Sequence, residues 1–574
     1  MHERTVDLLL PLDRRRDAPD GLTQQIYAQL RAAILSGRLR AGDRLPPTRD
    51  LAKQLGVARL TVSTAYEWLR AEGYVYGRVG AGTYVAPVFG ESRPAVEAEA
   101  EAEDAAPQRA HRAADGPSAT DAIDHAVDGI RRAVDGPITL SAWARRIAAI
   151  SLNGAGNPPP APYDFRPSAG AADAFPWARW RKVVGWPDPA DRGAGRLAEA
   201  REHAFQAGQW DALLGPYEAR AAIAAWLRRS RAVRCEAEHV LIAGSVQQIL
   251  ALLARLLVEP GQRLLIEDPS YVGFHAAFLA EGALLHGVPV DESGLRADLL
   301  PDPANADGHA AEAAPRLAVV TPSHQYPTGV TLSLDRRLQL LDWARRARVL
   351  LVEDDYDGDL RLEGQPLEAL RGLDDRDQVI YLGTFSKALY PAMRLGYAVL
   401  PHWLIEPVAR ARAASDRHPT WHDAIAVARF IEAGELERHL ARMRRLYRAR
   451  RDALSAALHA ELGDVLRVGP AEAGIHLLAR LPDGTDDVAL AARAREAGIA
   501  FTPFSPHYRT AARPGLLLGF GALDEDRLRE GMRLLAPLVR QAVPAQDAWP
   551  SANVRSPAVT ATGSVFSAGG SVQL

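Results

Sequence analysis

Val349-Leu350-Leu351-Val352-Glu353-Asp354-Asp355-Tyr356-Asp357 and, further along, Gln378-Val379-Ile380-Tyr381-Leu382-Gly383-Thr384-Phe385-Ser386-Lys387 share one pattern. Each is a short apolar run that stops abruptly at acids, hydroxyls or a lysine. Val240-Ala243, Arg263-Ile266 and Leu317-Thr321 repeat it, each followed by a loop rich in Gly, Ser, Pro or Asp and then a longer helical segment. Short apolar runs alternating with helices predict an α/β domain from about Tyr163 to Val543. Its sheet is mainly parallel, and its ligands should lie at the carboxyl ends of the strands.

The chain has 574 residues, too many for one ordinary domain, and 47% of them are hydrophobic, enough for a large core. Basic residues (68) nearly balance acids (71), which argues against a protein that coats nucleic acid uniformly. Only Lys53, Lys182 and Lys387 are lysines; the other 65 basic residues are arginine. Arginine cannot deprotonate in a protein, so chemistry needing a neutral amine has three candidates. The single cysteine, Cys235, excludes an internal disulfide framework and a Cys-rich zinc site, and no metal is expected. With no signal-like apolar segment near the N-terminus, and Ile249–Val258 far too short to span a bilayer, a cytoplasmic, nucleoid-associated protein without membrane contact is expected.

Residues 1–88 read as a separate unit. Leu22, Ile26, Leu30 and Ile34 recur at helical spacing, a second helix runs from Thr48 to Leu55 and a third from Leu60 to Glu72. Tyr74–Val85 alternates around glycines as a β-hairpin. Together these make a winged helix-turn-helix. Residues 21–87 carry nine basic and four acidic side chains, a local excess that the near-neutral total conceals. Arg49 and Lys53 on the second helix, Arg59, Thr61 and Ser63 opening the third, and Arg78 on the hairpin are the candidate contacts to double-stranded DNA. Residues 89–160, with ten acids against three arginines between Glu91 and Asp128, read as an acidic, Pro/Gly-containing linker. Structure is expected to return and dock near Gly136–Ile150. Residues 161–545 form the large domain and 546–574 a disordered tail.

The strand ends of the large domain converge on one chemistry. Gly244-Ser245-Val246-Gln247 precedes the apolar helix Ile249–Val258, a small-residue turn that presents backbone N–H groups to an anion. Asp354 ends one strand, and Lys387 follows another beside Thr384 and Ser386, with Arg394 seven residues beyond. Pyridoxal 5′-phosphate needs such a set: a lysine to form a Schiff base and an aspartate to hold the pyridine nitrogen protonated. It also needs a tyrosine for the ring hydroxyl, an aromatic face such as Tyr271, and hydroxyls, an arginine and a helix N-terminus for the phosphate.

On Gly215-Pro216-Tyr217-Glu218, Leu227-Arg228-Arg229-Ser230-Arg231, Glu267-Asp268-Pro269-Ser270-Tyr271, Thr321–Gly329, Glu353–Asp357 and Thr384–Leu389, the large domain resembles the fold-type-I aminotransferases. With Leu45-Pro46-Pro47-Thr48-Arg49, the whole chain resembles the MocR/GabR-type regulators of the GntR superfamily. The resemblance implies Lys387 as the aldimine lysine, Asp354 as the pyridinium partner, Tyr356 on the ring hydroxyl and Tyr271 stacked. It places Ser245, Val246, Thr384, Ser386 and Arg394 around the phosphate, and it implies a head-to-tail homodimer.

Two departures bear on function. Tyr326 stands in Tyr326-Pro327-Thr328-Gly329 where aminotransferases carry asparagine, which favours sensing over turnover. Leu516-Leu517-Leu518-Gly519-Phe520 has leucine where a carboxylate-clamping arginine stands in aminotransferases, with Arg509 and Arg513 in the preceding loop as possible substitutes. Leu60 occupies a position usually polar in the DNA-binding family. The expected function is a DNA-binding transcriptional regulator sensing an amine, amino acid or B6 vitamer through exchange at Lys387. The alternative is an aminotransferase carrying a DNA-binding domain; slow half-transamination is compatible with the first reading.

Overall fold

The computed structural model describes residues 10–13, 21–71, 74–78, 82–86, 140–150, 160–167, 170–184, 210–301, 315–364, 367–417, 419 and 421–543. The acidic run and the C-terminal tail lie outside the described residues. The chain divides into two compact units, Met1–Ala113 and Ala114–Leu574.

In the first unit, helices α1 (Leu22–Leu35), α2 (Thr48–Leu55) and α3 (Arg59–Ala71) precede strands β1 (Val75–Arg78) and β2 (Gly82–Val85). Ile26, Leu30, Leu51, Leu55, Val62, Ala65 and Leu69 close on one another as a single buried core. That core explains why the short, polar-looking α2 is helical at all: tertiary burial of one face replaces intrinsic propensity. Gly56 ends α2 at φ 58°, a left-handed conformation that glycine adopts without a Cβ penalty. β1 and β2 pair antiparallel from Val75–Val85 to Arg78–Gly82, the expected hairpin.

In the second unit an eight-stranded sheet uses β3 (Val240–Ala243), β4 (Arg263–Asp268), β5 (Leu284–Asp291), β6 (Gly294–Leu295), β7 (Leu317–Val320), β8 (Leu350–Asp355), β9 (Val379–Thr384) and β10 (Gly396–Val399). Their spatial order is β3-β10-β9-β8-β7-β4-β5-β6. Pairing is parallel from β9 through β5, and β10 runs antiparallel to both its neighbours. The sheet is covered on both faces, so its strands are apolar throughout. Leu264, Ile266, Val352, Ile380 and Leu382 pack on one side, and Leu265, Val320, Leu351 and Val379 on the other. A second sheet of β11 (Arg467–Val468), β12 (His476–Arg480), β13 (Thr502–Pro503) and β14 (Gly515–Gly519) has the order β11-β12-β14-β13.

Several boundaries differ from the pattern reading. β8 and β9 extend to Asp355 and Thr384, two residues beyond the strand-like runs Val349–Glu353 and Gln378–Leu382 read from the sequence, because the ladder continues through Leu382–Asp354 and Gly383–Asp355. The helix after β3, α4 (Val246–Leu257), starts three residues before the expected Ile249, since the Ser245 side chain caps it by accepting from the Gln248 N–H. Within the stretch assigned to the linker, Ala142–Ala148 is helical. It docks on the large unit, with Trp143 Nε1 donating to Glu281 (3.0 Å) and Arg146 Nε donating to the Ala280 carbonyl (2.8 Å).

Candidate functional site

β3, β10 and β9 end side by side, with Gly396 in register with both Ala243 and Thr384. A Cβ on Gly396 would lie 2.8 Å from the Val246 nitrogen and 2.9 Å from the Ser245 carbonyl carbon, so only glycine lets the α4 N-terminus settle there. Phe385 N–H donates to the Leu395 carbonyl (3.0 Å), and the Thr384 hydroxyl accepts from Ser386 N–H (3.1 Å). These contacts gather Ser245, Val246, Thr384, Ser386 and Arg394 around one helix N-terminus. Arg394 is exposed, and neither its guanidinium nor the Ser386 hydroxyl hydrogen-bonds any described residue. Gln247 Nε2 donates to the Gly273 carbonyl (2.9 Å), tying this cup to the turn bearing Tyr271. The Tyr271 ring, 39% exposed, meets Tyr326 edge-on at 5.6 Å.

The acids that end β8 divide by face. Asp355 accepts from Arg231 Nε (2.7 Å) and from the Tyr381 hydroxyl (2.6 Å), with both ion-pair side chains 2% exposed. Glu353 accepts from the Leu370 and Arg371 N–H groups. Asp354, between them, points to the opposite face of the strand and is buried, and its Oδ1 has no hydrogen-bond partner. Burial, reinforced by the charges of Asp355 and Asp357, pushes the Asp354 carboxyl up to about 8. An isolated buried carboxylate is costly, and a protonated ring nitrogen is the complement that removes that cost. Lys387 sits on the single turn Phe385–Ala388, capped by Thr384, and its Nζ donates to the Pro167 carbonyl (3.1 Å). Burial lowers its pKa to about 8, with Asp357 opposing the shift. The neutral, nucleophilic form of this amine is therefore far more accessible near neutral pH than in a solvated lysine. The orphaned Asp354 oxygen, the softened lysine and the phosphate cup fit pyridoxal phosphate.

The structure adds residues whose roles were not assigned from the sequence. Tyr356 lies 2.9 Å from His324 Nδ1, and that nitrogen is 2.8 Å from Asp357 Oδ2. The His476 ring centre is 5.0 Å from His324 and 5.4 Å from Tyr326. His324, Asp357 and His476 thus form a buried cluster whose ring nitrogens and carboxylate oxygen lie within 4.8 Å of one another. Their sequence separation hides it. His324, Asp357 and Arg231 lay in motifs already singled out, and only their pairing was missing. Leu517 is the leucine of Leu516–Phe520 that joins Leu478 and Phe504 in a small apolar cluster, whereas Leu516 and Leu518 belong to the main core. Arg509 is exposed on a loop fixed by its own N–H donating to Asp268 (2.7 Å).

In the N-terminal unit Arg49, Lys53 and Arg59 are exposed, and Thr61 and Ser63 are half-buried on the first turns of α3. Arg78 ends β1. Leu60 is 77% exposed at the start of α3, an apolar side chain available for a thymine methyl. Arg38 and Arg40 are also exposed.

Residues 22–85 match the family model "Bacterial regulatory proteins, gntR family", and residues 195–529 match "Aminotransferase class I and II". The chain is 34% identical over 528 residues to the probable rhizopine catabolism regulatory protein MocR of Rhizobium meliloti, covering 92% of this chain and 95% of that one. The chain belongs to the MocR/GabR-type regulators. It is also 30% identical to the pyridoxine biosynthesis transcriptional regulator PdxR of Corynebacterium glutamicum, over 91% of this chain and 96% of that one. The kynurenine aminotransferase of Pyrococcus horikoshii, solved with PMP, superposes at a TM-score of 0.58 with 27% identity, covering 67% of this chain and 91% of that one. As a MocR/GabR-type protein the chain is a DNA-binding regulator sensing a ligand linked to pyridoxal phosphate. The cited relatives that span both units are regulators, in keeping with weak or absent transaminase activity. Among the described residues no helix is long and apolar enough to cross a membrane.

Proposed function

We propose that this regulator holds pyridoxal phosphate at Lys387 and responds to an amine, amino acid or B6 vitamer that takes the lysine's place. The observation that carries the reading is the buried, partnerless Asp354 Oδ1 in the same site as a lysine of depressed basicity. When bound, the cofactor supplies an aldehyde and an electron-withdrawing ring. Asp354 would hold the ring nitrogen, and Tyr356 the ring hydroxyl. Tyr271 would cover one face of the ring. Ser245, the Val246 N–H, Thr384, Ser386 and Arg394 would hold the phosphate. Lys387, once released, regains its proton, and this local change biases the protein between two arrangements. A head-to-tail homodimer would set two winged helices on two half-sites.

Asp354→Asn tests the ring contact. Asp354 is raised in the folded state, so its penalty to stability is absent below about pH 4, grows as the unfolded carboxyl ionises, and is complete above about pH 8. Asparagine removes that pH dependence, so the unloaded variant should be at least as stable at neutral pH. Loss of a charged hydrogen bond should nevertheless weaken cofactor binding by about tenfold or more. Spectroscopic titration with pyridoxal phosphate checks this; unchanged affinity would remove Asp354 from the site.

The vitamer reading has its own support in the stretch Leu516–Phe520. Its leucines are all buried in apolar clusters and cannot clamp a carboxylate, so an ordinary α-amino acid lacks its usual anchor. The name of the PdxR relative points the same way. For the DNA-binding unit, affinity for the chain's own upstream DNA should fall by about a thousandfold as salt rises from ~50 to ~200 mM. A salt-independent affinity in anisotropy titrations would contradict phosphate contact through Arg49, Lys53, Arg59 and their neighbours.

A further inference from the structure

We propose that Lys387, when its amine is free, latches the two sheets of the large unit together through the Pro167 carbonyl, and that bonding the lysine to an aldehyde releases the latch. The inference rests on the reading of Lys387 as the cofactor lysine and deepens it, by naming what the freed amine holds.

The latch joins elements of different sheets. Lys387 lies on the turn that follows β9 of the eight-stranded sheet, and its Nζ donates to the Pro167 carbonyl at 3.1 Å. Pro167 is buried at the end of a stretch sewn to the second sheet. Tyr163–Asp164 pairs parallel with Ile499–Ala500, just before β13. The Tyr163 N–H donates to the Gly498 carbonyl (3.1 Å) and the Phe165 N–H to the Ala500 carbonyl (2.7 Å). Gly519 N–H, at the end of β14, donates to the Phe165 carbonyl (2.5 Å). Gly519 permits this approach, since a Cβ there would fall 2.8 Å from the Arg166 carbonyl oxygen and 2.9 Å from Pro167 Cα. Phe165, wholly buried, roots the stretch in the main core. Pro167 therefore cannot move far without disturbing this edge of the second sheet.

Other hydrogen bonds tie the second sheet and its loops to the first, among them Arg509 N–H to Asp268 (2.7 Å), but their donors take no part in the proposed chemistry. Lys387 differs because that chemistry consumes its donors. A free ammonium has three N–H groups. When the nitrogen bonds to the aldehyde carbon, two of its hydrogens leave with the aldehyde oxygen as water, and at most one N–H remains. When an incoming amine takes over the carbon, the lysine C–N bond breaks and the two hydrogens of that amine pass to Lys387, with no oxidation or reduction. Among the described residues no other donor reaches the Pro167 carbonyl, so linking the lysine leaves a buried acceptor short of a partner. That cost biases the stretch toward a second arrangement whenever the lysine is linked. In chain order the stretch follows the docked helix Ala142–Ala148, so the shift falls at the large unit's end of the connection to the DNA-binding unit.

Hydrogen exchange of the full-length protein, read by mass spectrometry on peptides covering Tyr163–Pro167 and Gly519, tests the latch without recourse to turnover or DNA. In unloaded protein Lys387→Met, similar in length but without a donor, should speed exchange of the Tyr163, Phe165 and Gly519 N–H groups by about tenfold, roughly what a charged hydrogen bond contributes. Gly519→Ala presses on Pro167 from the other side and should speed exchange at Tyr163 and Phe165. Combined with Lys387→Met it should add little, because both break one contact. Full additivity, or wild-type exchange in Lys387→Met, overturns the latch and leaves the cofactor reading intact. The wild type needs no substitution. Loaded with pyridoxal phosphate, it should exchange faster in this stretch than after methylamine has taken the lysine's place, the cofactor being present in both. Borohydride reduction tracks the displacement through loss of the adduct on Lys387. Equal exchange before and after displacement, or an adduct that persists in methylamine, overturns release by linking. Absence of any adduct in the loaded wild type overturns the cofactor reading itself, and this inference falls with it.

Discussion

Lys387→Ala is expected to abolish the covalent hold on pyridoxal phosphate completely: no yellow protein, and no adduct after borohydride reduction. The expectation is sharp because the chain offers few substitutes. Lys53 is exposed on α2 of the other unit, and Lys182 is exposed on the helix Trp177–Val184. Neither lies at a strand end, and every other basic side chain is arginine, which has no accessible neutral form. Lys387→Arg should fail as fully as alanine while keeping the charge, which separates loss of the nucleophile from loss of electrostatics. Mass spectrometry of the reduced, digested protein provides the check. An adduct in Lys387→Ala, or on Lys53 or Lys182 in the wild type, would contradict the assignment.

The second large effect is structural. Arg231→Met should destabilise the large unit by about 3–5 kcal/mol, because it removes one partner of a buried ion pair and leaves the other uncompensated. Arg231 Nε donates to Asp355 (2.7 Å), Nη1 to the Leu367 carbonyl (2.7 Å) and Nη2 to Ser323 (2.6 Å). Glu353, Asp354, Asp355 and Asp357 are all buried within five positions of one another, so loss of this cation leaves a crowd of acids with less to balance it. A paired Arg231→Met/Asp355→Leu variant should recover part of the loss, since removing both charges removes the orphan. Denaturant unfolding measures each. A single substitution costing under about 1 kcal/mol would mean that Asp355 finds another partner.

The uneven legibility of the chain has physical causes. The strands Val240–Ala243, Leu317–Val320 and Val379–Thr384 were legible because a sheet covered on both faces demands unbroken apolar runs. Lys387 and Asp354 were legible as polar residues at strand ends. What could not be read was which neighbouring acid does what. Asp354 and Asp355 are adjacent in sequence, and only the alternation of faces along β8, with Arg231 arriving from just past the distant helix Tyr217–Ser230, makes one a free carboxylate and the other a structural anchor. The His324–Asp357–His476 cluster was hidden for the same reason: it joins a loop after β7, a loop after β8 and the start of β12, with no shared periodicity. Leu60, a departure from the family pattern, proves to be a solvent-facing side chain at the head of the recognition helix. The start of α4 is not legible from periodicity because the polar Gln247-Gln248 pair breaks the apolar pattern, although Ser245 caps the helix before it.

On the proposed function, occupancy at Lys387 controls DNA binding. Its most direct test is fluorescence anisotropy of the full-length protein on its own upstream DNA at one fixed salt concentration, with and without pyridoxal phosphate, for wild type and Lys387→Ala. Loading is expected to change wild-type affinity by about fivefold or more, within the usual range for coupled sites, and to leave Lys387→Ala unmoved. Equal wild-type affinity in both states, or an equal response in Lys387→Ala, would contradict it.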